Sequence, residues 1–296
     1  MHNCKNIGII KCVTSLQVTH FLVLYLGYEG KDMRVCTLSS SSKGNCTIVY
    51  TEKTKVLIDI GIKLEELEAK LNKIGINPNE ITAIINTHDH SDHIKGVGAF
   101  MRKYKNTLLF CYCDSYNSVC DKIGRVDRTH VVSFVDDAFE LGEFLINPFR
   151  LPHDATSCVG YSISCGDKKM SIATDLGHIT PEIVSNLIDS RLVILEANHD
   201  EDMLRNNPKY SFMLKSRILG KNGHLSNITS AKVVARLAEY GVRQVVLAHL
   251  SEENNTPDLC FETVRDYLSS VGIIEGEHIK IAVAPAHNIG GIFLLK

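Results

Sequence analysis

The chain has 296 residues, which is enough for one large α/β domain or for two domains of ordinary size. Apolar residues make up 44% of the sequence and charged residues 22%, which excludes a disordered, collagen-like or coiled-coil chain. Lys and Arg number 32 against 34 Asp and Glu, so the net charge is −2 and no overall positive field attracts the protein to nucleic acid or to an anionic membrane.

The N-terminal stretch differs in pattern from the rest of the chain. Residues 7–28 are fairly apolar, but polar residues such as Lys11 and His20 interrupt them. This pattern fits neither a spanning helix of about 20 apolar residues nor the apolar core of a signal peptide. Regular patterning begins at Met33. We therefore expect Met33 to be the natural start and residues 1–32 to be a non-essential extension; the alternative is a membrane-seeking anchor.

From Met33 onward, strand and helix patterns follow one another without a linker. Short β-rich runs bounded by turn residues predict strands, and apolar residues spaced three and four apart predict helices. The predicted strands are residues 46–50, 55–60, 81–86, 107–111, 130–135, 144–149, 159–165, 169–174, 192–195, 244–247, 279–283 and 292–295. The predicted helices are residues 63–74, 181–188, 228–240 and 257–271. The sequence therefore predicts a single α/β domain over residues 33–296, with mixed β-sheets flanked by helices.

The ten cysteines are too sparse and too irregularly spaced for a disulfide scaffold. The sequence contains no C-x-x-C pair, so a thiolate zinc site has little support. We expect reduced thiols and a cytoplasmic protein.

The strongest chemical signal directly follows the third predicted strand. Residues 87–93 read Thr-His-Asp-His-Ser-Asp-His and contain three imidazoles and two carboxylates within six positions. Imidazole nitrogen and carboxylate oxygen are common ligands of Zn²⁺, Mn²⁺ and Fe²⁺. We expect His88 and His90 to face one ion, and Asp92 and His93 to face a second. The alternative, a solvated polar loop, explains this composition poorly.

Three further residues offer ligands at or just after the ends of predicted strands. They are His153, Asp175 and His249. A single His or Asp in such a place is more often a capping or hydrogen-bonded group than a ligand. Together with the cluster at residues 87–93, however, they predict a metal centre assembled from several strand ends.

These residues resemble the metallo-β-lactamase superfamily, in which the motif H-x-H-x-D-H is followed by single His, Asp and His ligands in this order. The resemblance covers Met33 to the C-terminus. It implies an αββα four-layer sandwich of two mixed β-sheets flanked by helices, with two divalent metal ions, Zn or Mn, at one edge. Carried over by position, it assigns His88, His90 and His153 to the first ion, Asp92, His93 and His249 to the second, and Asp175 to both.

The bridging residue Asp175 narrows the resemblance within the superfamily. Antibiotic-hydrolysing members typically lack a carboxylate there, whereas thioester and phosphodiester hydrolases have it, so a β-lactamase is disfavoured. The nucleic-acid-processing branch with a β-CASP insertion carries a large domain between this Asp and the last His. Only 74 positions separate Asp175 from His249, which leaves no room for that domain.

Five segments are similar to those of the WalJ (YycJ) group, compact bacterial members of the superfamily implicated in 5′→3′ exonuclease action on duplex DNA. They are residues 39–45, 173–178, 196–200, 223–227 and 249–255. The first departs from the usual S-G-S-x-G-N form by having serine where glycine is common, which puts the backbone shape of that loop in doubt.

A local charge asymmetry supports a polyanionic substrate. Residues 203–238 contain no Asp or Glu, and Tyr210 and Phe212 are available to stack on bases or sugars. The alternative is an ordinary basic, solvated face. The cations of this segment are Arg205, Lys209, Lys215, Arg217, Lys221, Lys232 and Arg236.

His224 lies at the end of a loop before a predicted helix, with Ser226 and Asn227 as candidate caps. We expect it to contact phosphate, helped by neighbouring helix amides, or to protonate the leaving group; the alternative is a core or capping histidine.

Glu196 and His199 follow another strand end and are candidates to orient ligands, although a structural role is equally consistent with the sequence. Residues 40–44 offer hydroxyl and backbone donors, or form a simple turn. His2, His20, His130, His278 and His287 are expected to be structural.

The resulting hypothesis is metal-assisted phosphodiester hydrolysis of nucleic acid, most consistent with 5′→3′ digestion of double-stranded DNA. Asp92 would orient the nucleophile and His224 would protonate the leaving oxygen. The competing hypotheses are a small-molecule metallohydrolase acting on a cyclic nucleotide, phosphonate or thioester, and a non-catalytic metal-binding scaffold. No membrane partner is expected.

Overall fold

The computed structural model of the protein describes residues 32–296, so the predicted N-terminal extension, apart from Asp32, lies outside the described residues. The strands are β1 Met33–Ser41, β2 Gly44–Tyr50, β3 Lys55–Ile58, β4 Ala83–Ile85, β5 Leu108–Tyr112, β6 Val131–Phe134, β7 Phe139–Leu141, β8 Phe144–Arg150, β9 Val159–Cys165, β10 Lys168–Ala173, β11 Leu192–Glu196, β12 Gln244–Ala248, β13 Lys280–Val283 and β14 Ile292–Leu295. The α-helices are α1 Leu64–Lys73, α2 Ser91–Ile94, α3 Val97–Lys103, α4 Tyr116–Lys122, α5 Pro181–Leu187, α6 Glu201–Asn206, α7 Phe212–Ile218, α8 Asn227–Glu239 and α9 Pro257–Ser270.

The strands form two seven-stranded mixed sheets. The first has the order β14-β1-β2-β3-β4-β5-β6 and the second the order β13-β12-β11-β10-β9-β8-β7. In the first sheet β3 to β6 run parallel, and in the second β10 to β13 do so, whereas the remaining neighbours are antiparallel. One of these antiparallel pairs joins β1 to β14, from opposite ends of the domain. The predicted mixed character of both sheets is therefore confirmed.

Three apolar layers hold the four-layer sandwich together. Side chains from both sheets, such as Val56 and Ile194, fill the space between the sheets. The outer face of the first sheet packs against α1, α3 and α4, where Leu67 and Phe100 are fully buried. The outer face of the second sheet packs against α5, α8 and α9. The sheets are therefore buried on both faces, which explains why most of their strands are continuously apolar. This is the predicted αββα arrangement.

All twelve predicted strands and all four predicted helices occur, with ends displaced by three residues or fewer. The sequence reading missed β1, β7 and five helices of four to seven residues, because such short helices have too few turns to show an apolar period. Residues 39–41, expected in a loop, belong to β1, which carries a bulge between Thr37 and Ser39.

Parallel strands end at a common edge of each sheet, and these two edges face each other. The carboxyl ends of β3 and β4 lead to Asp59 and to residues 86–94, and those of β10, β11 and β12 lead to Asp175, Glu196 and His249. No helix within residues 32–296 is long and apolar enough to cross a membrane. The cysteines of the same range are free thiols, as expected.

Candidate metal centre

All seven side chains that the sequence singled out as ligands lie together at this edge. One group of donor atoms within 4.8 Å of one another comes from His88, His90 and His153, and a second comes from Asp92, His93 and His249. The side chains of His88, His93, His153 and His249 are almost completely buried. Two further groups overlap with these, one of His88, His93 and Asp175 and one of Asp175, Glu196, His224 and His249.

Asp175 lies between the two groups. Its carboxylate oxygens are 3.1 Å from Nε2 of His93, 3.5 Å from Nε2 of His249 and 3.7 Å from Nε2 of His153. The residue lies two positions after the end of β10 and has a φ of 65°, in the left-handed region that non-glycine residues seldom occupy. His249, the first residue after β12, has a φ of 59° in the same region. Such backbone strain is typical of functional sites.

Each of three imidazoles is fixed through its Nδ1 by an acceptor that cannot donate. His93 Nδ1 lies 2.7 Å from Asp59, His249 Nδ1 lies 2.8 Å from Glu196, and His153 Nδ1 lies 3.2 Å from the carbonyl oxygen of Gly223. Carboxylate and carbonyl oxygens only accept, so in each neutral ring Nδ1 carries the proton and Nε2 presents a lone pair. The lone pairs of His93, His153 and His249 therefore face the Asp175 carboxylate, an arrangement that calls for a cation between them.

Two buried acceptor atoms of the cluster test whether a metal fits. Nε2 of His88 and Oδ2 of Asp175 lack a hydrogen-bond partner within the described part of the chain. Leaving buried polar atoms unpaired costs about 1–3 kcal/mol each, and an ion coordinated by these lone pairs removes that cost. The donor set of imidazole nitrogens and carboxylate oxygens thus fits a divalent transition metal.

Glu196, at the end of β11, connects the centre to the loops around it. Its fully buried carboxylate accepts from the backbone amides of Asp175, Leu176 and Leu225 at 2.9–3.3 Å. It also accepts from Nδ1 of His249. Burial raises its pKa, but His224, His249 and their hydrogen bonds outweigh burial and lower the pKa to about 2. Glu196 therefore stays ionised and orients the ring of His249. This agrees with the first of the two roles that the sequence left open for it.

The cluster also favours positive charge electrostatically. Burial lowers the pKa of His249, but the carboxylates of Asp175, Asp92 and Glu196 outweigh burial and raise it to about 10. Likewise, burial raises the pKa of Asp92, but the neighbouring His93 and His249 lower it well below its ordinary value. The carboxylates thus create a negative potential that protons or metal ions neutralise.

Comparison with known proteins agrees with this geometry. The β-lactamase superfamily domain matches residues 54–250 of the chain. The chain belongs to this superfamily. It is 31% identical over 246 residues to "Exodeoxyribonuclease YycJ" of Bacillus anthracis, which covers 82% of this chain and 92% of that protein. It is 32% identical over 247 residues to "Exodeoxyribonuclease WalJ" of Streptococcus pneumoniae, with 82% and 91% covered.

The fold is shared with solved structures at lower identity. The crystal structure of the metallo-β-lactamase fold protein YhfI from Bacillus subtilis matches with a TM-score of 0.66 and 15% identity, over 89% of this chain and 99% of that one. The two mixed sheets with outer helices are therefore the superfamily fold, and the dense His and Asp cluster at its edge is a divalent metal-binding cluster.

His224 adjoins the ligand cluster of this superfamily member. Its Nδ1 is 2.9 Å from Glu196, and its ring centre is 5.1 Å from that of His153 and 5.3 Å from that of His249. Because Nδ1 is held by Glu196, Nε2 lies on the opposite edge of the ring. Burial lowers the pKa of His224, but Glu196 outweighs burial and raises it. The side chain retains 20% exposure, so solvent reaches it.

Several amides near His224 do not fit the expectation that they contact a phosphate. Three of them are already paired inside the protein. The amide of His224 donates to the carbonyl of Ile218 and that of Asn227 to the carbonyl of His199, while that of Leu225 donates to Glu196. Ser226 caps α8 as predicted, by accepting from the amide of Thr229. Its neighbour Asn227 is the first helical residue instead.

The other candidate residues take different roles. His199 is buried, and neither of its ring nitrogens has a hydrogen-bond partner within residues 32–296, so its geometry does not orient a ligand. Ser40 accepts from the amide of His249 at 2.8 Å and thereby fixes the backbone of that residue. His130, His278 and His287 belong to none of the ligand groups, and His2 and His20 lie outside the described residues.

The sequence reading missed two carboxylates. Asp59 follows β3 directly and holds His93, with a φ of 60° like that of Asp175. Asp89, between His88 and His90, is buried and accepts from Lys122, Ser118 and Thr156. The signal for Asp59 was available, because it is an acidic residue at a strand end, the same criterion that identified Asp175.

Fewer cations of the basic segment at residues 203–238 are available to bind a substrate than its composition indicates, because some of them form ion pairs. Ion pairs join Arg205 to Glu201, Lys209 to Glu253 and Arg217 to Asp154. Lys221 is exposed next to the loop that carries His224, and Lys232 and Arg236 are exposed on α8. The unpaired cations of the segment therefore include one three residues before His224 and two along α8.

Proposed function

We propose that this protein is a dinuclear metal-dependent phosphodiester hydrolase, and specifically an exonuclease that digests double-stranded DNA in the 5′→3′ direction in the cytoplasm. The observation that carries the proposal is the position of Asp175 between two complete three-residue ligand groups. Relatives named exodeoxyribonucleases, at 31–32% identity over 82% of the chain, point to DNA as the substrate. The free thiols fit a reducing compartment.

Two divalent ions, Zn²⁺ or Mn²⁺, are the proposed cofactors. His88, His90 and His153 would hold one, Asp92, His93 and His249 the other, and Asp175 would contact both. When bound, such ions lower the pKa of water and neutralise charge on a phosphoryl group. The carboxylate-rich composition admits Mn²⁺ alongside Zn²⁺, since carboxylates suit harder ions.

The residues around the ligands supply orientation and a proton. The hydrogen bond from Nδ1 to Glu196 raises the pKa of His224 and favours its protonated form, so Nε2 would donate a proton to the leaving oxygen. Asp92 is less buried than the other carboxylate ligand, Asp175, and would orient the attacking water. Glu196 and Asp59 keep the rings of His249 and His93 in one tautomer.

The exposed cations near His224 would bind the DNA backbone. Lys221, Lys232 and Arg236 are not consumed by ion pairs among the described residues, and they lie in a segment without acids. Contacts of this kind release counterions, so cleavage of DNA should weaken steeply as salt rises. A small-molecule hydrolase would show no such dependence.

The test is digestion of a duplex labelled at its 5′ or its 3′ end, with elemental analysis of the same preparation. We expect two divalent ions per chain and release of label first from the 5′ end. Asp175→Ala and His90→Ala should abolish digestion while leaving the fold intact, and His278→Ala serves as a matched histidine control outside the cluster. Full activity of either ligand variant would refute the site. Hydrolysis of cyclic nucleotides without DNA digestion would favour a small-molecule hydrolase, and neither activity in metal-loaded protein would favour a scaffold.

A further inference from the structure

Two large apolar side chains project from the surface beside the metal-binding cluster. Phe212 and Met213, which we call the apolar tip, begin α7 and are 83% and 82% exposed. None of the residues of α7 is buried. A phenylalanine this exposed gains nothing from folding, so the tip is not explained by stability of the chain.

The tip is held in a fixed relation to the catalytic cluster. At the other end of α7, the guanidinium of Arg217 pairs with Asp154, the neighbour of His153. The carbonyl of Ile218 accepts from the amide of His224 at 2.9 Å. Phe212 precedes Arg217 by five residues, which corresponds to about 7.5 Å along a helix. One short helix therefore joins the tip to a contact with the neighbour of His153 and to the backbone of His224.

Close backbone packing makes this connection stiff. A Cβ on Gly177, two residues after Asp175, would lie 2.3 Å from the carbonyl oxygen of Lys221. A Cβ on Gly223 would lie 2.1 Å from the carbonyl oxygen of Ile218. The segment after α7 therefore packs closely against the loop that follows Asp175, and this packing restricts the movement of α7.

The charge around the tip selects its partner. The apolar tip lies within residues 203–238, which contain seven cations and no acid. Three of them, Arg205, Lys209 and Arg217, pair with acids from other parts of the chain, whereas the other four make no ion pair within residues 32–296. An apolar patch in a segment with such free cations complements a polyanion with apolar faces, and the end of a nucleic acid duplex has this composition, with a base-pair face bordered by phosphates. An apolar protein surface does not require the cations. An anionic membrane would match them too, but the helix of the tip leads into the loop that carries His224, which favours a substrate of the same site.

We propose that Phe212 and Met213 form a wedge that stacks on the terminal base pair of a DNA duplex and separates the two strands, so that one strand enters the metal centre. This inference rests on the proposed exonuclease function and adds the way in which the duplex end is engaged. Apolar side chains inserted at base steps unstack them in other DNA-binding proteins, and stacking on an aromatic ring tolerates any base. The wedge would therefore act without sequence preference, as an exonuclease requires.

The test compares ends that need opening with ends that are already open. We expect Phe212→Ala combined with Met213→Ala to lower kcat/KM on a fully paired blunt duplex by about 10- to 100-fold. On a duplex whose terminal pairs are mismatched, the loss should be less than about threefold. Phe212→Trp should keep activity on the paired end, because a larger ring stacks at least as well.

The matched control is Val271→Ala combined with Ile274→Ala. These residues are 50% and 51% exposed, and they lie between α9 and β13, at the edge of the second sheet opposite the cluster. The control should leave both substrates unaffected. Hydrolysis of bis(p-nitrophenyl) phosphate by each metal-loaded variant reports on the metal centre itself and should be unchanged by the tip substitutions.

Different failures have different meanings. If the tip variant loses activity equally on paired and mismatched ends, or on neither, the wedge is refuted while the exonuclease proposal stands. If the wild-type protein hydrolyses bis(p-nitrophenyl) phosphate but digests no DNA, the proposed function fails and the wedge with it.

Discussion

The Asp59 carboxylate accepts a hydrogen bond from Nδ1 of His93 at 2.7 Å, while Nε2 of the same ring lies 3.1 Å from Asp175. Asp59 in turn accepts from the side chain of Asn86 and from the amide and hydroxyl of Thr87 at 2.7–2.8 Å. One buried carboxylate therefore fixes both the tautomer of a ligand and the start of the loop that carries the other ligands. This arrangement raises the basicity of the nitrogen that faces the metal position.

Replacing Asp59 should weaken metal binding more than it weakens the fold. Asp59→Asn preserves the shape of the side chain but removes the negative charge that orients His93, so we expect metal affinity to fall by about 10- to 100-fold. Titration with Mn²⁺ or Zn²⁺ in a calorimeter measures this. Asp167→Asn, an exposed acidic residue of a surface ion pair, is the matched control. An unchanged dissociation constant in Asp59→Asn would contradict the role of the pair.

Glu196 makes a second, distinct prediction because it contacts both a ligand and the proposed proton donor. In Glu196→Gln the amide group cannot accept from all of the three backbone amides and two imidazoles that the carboxylate serves. We expect the free energy of unfolding to fall by about 1–3 kcal/mol and activity at saturating metal to fall by about 100-fold.

Denaturant unfolding and steady-state kinetics measure the two effects of Glu196→Gln separately. Glu140→Gln, an exposed residue of β7, provides the control. Should metal-saturated Glu196→Gln retain wild-type kcat, His224 would not depend on this carboxylate.

The sequence made the ligand positions predictable because metal chemistry restricts residue types at strand ends. His153 and His249 each gave a weak signal alone, and they became candidate ligands because the cluster at residues 87–93 also follows a strand end. Asp175 became a candidate ligand by the same strand-end criterion, and only its assignment to both ions required the family resemblance. The short helices could not be found in this way. Helices of four to seven residues show only a weak apolar period, and of the six helices of this length in residues 32–296 only α5 was predicted. Tertiary contacts largely decide whether such a segment is helical.

The supporting residues were harder to predict than the ligands, for a physical reason. Asp89 lies inside the ligand motif, yet its carboxylate faces α4, where it meets Lys122 and Ser118. Even the position of Asp89 directly between His88 and His90 reveals nothing about which element packs against it. The ion pairs of the basic segment could not be predicted from the sequence either, because Glu253 and Asp154 are remote in sequence from their partners Lys209 and Arg217.

Lys122 is predicted to restrict the movement of the loop that carries His88 and His90. Its ammonium group donates to both the carbonyl and the carboxylate of Asp89 at 2.8 Å, and Thr156, near His153, donates to the same carboxylate. The lysine is 47% exposed, so solvent screens the pair, and Lys122→Met should lower the free energy of unfolding by only about 1 kcal/mol.

The larger effect of Lys122→Met should be on the metal. Without the ammonium group, the buried carboxylate of Asp89 loses its ion-pair partner, which favours conformations of the loop that expose the carboxylate to water. Metal binding at His88, His90 and His153 should then weaken. We expect a several-fold loss of affinity in a metal titration, whereas Lys53→Met, on an exposed turn, should show none. Equal affinities for the two variants would show that the loop is rigid without Lys122.

Gly61 is predicted to be irreplaceable for a steric reason. A Cβ at this position would lie 1.6 Å from the carbonyl oxygen of Asp92 and 2.6 Å from the amide nitrogen of Asn45. Backbone atoms cannot rotate away as a side chain would, so Gly61→Ala must displace the segment that carries Asp92 and His93 from β3. We expect the free energy of unfolding to fall by about 3 kcal/mol or more, together with loss of metal binding.

Thermal unfolding separates this effect from the general effect of adding a methyl group. A loss of 3 kcal/mol corresponds to a fall in Tm of about 6–12 °C for a domain of this size. At Gly291 a Cβ would meet only the ring of Phe293 at 3.9 Å, so Gly291→Ala should leave both Tm and metal affinity unchanged. If Gly61→Ala unfolds at the wild-type temperature and binds metal normally, the close approach of Gly61 to Asp92 is not required. The loop after β3 would then be free to move without disturbing the second group of ligands.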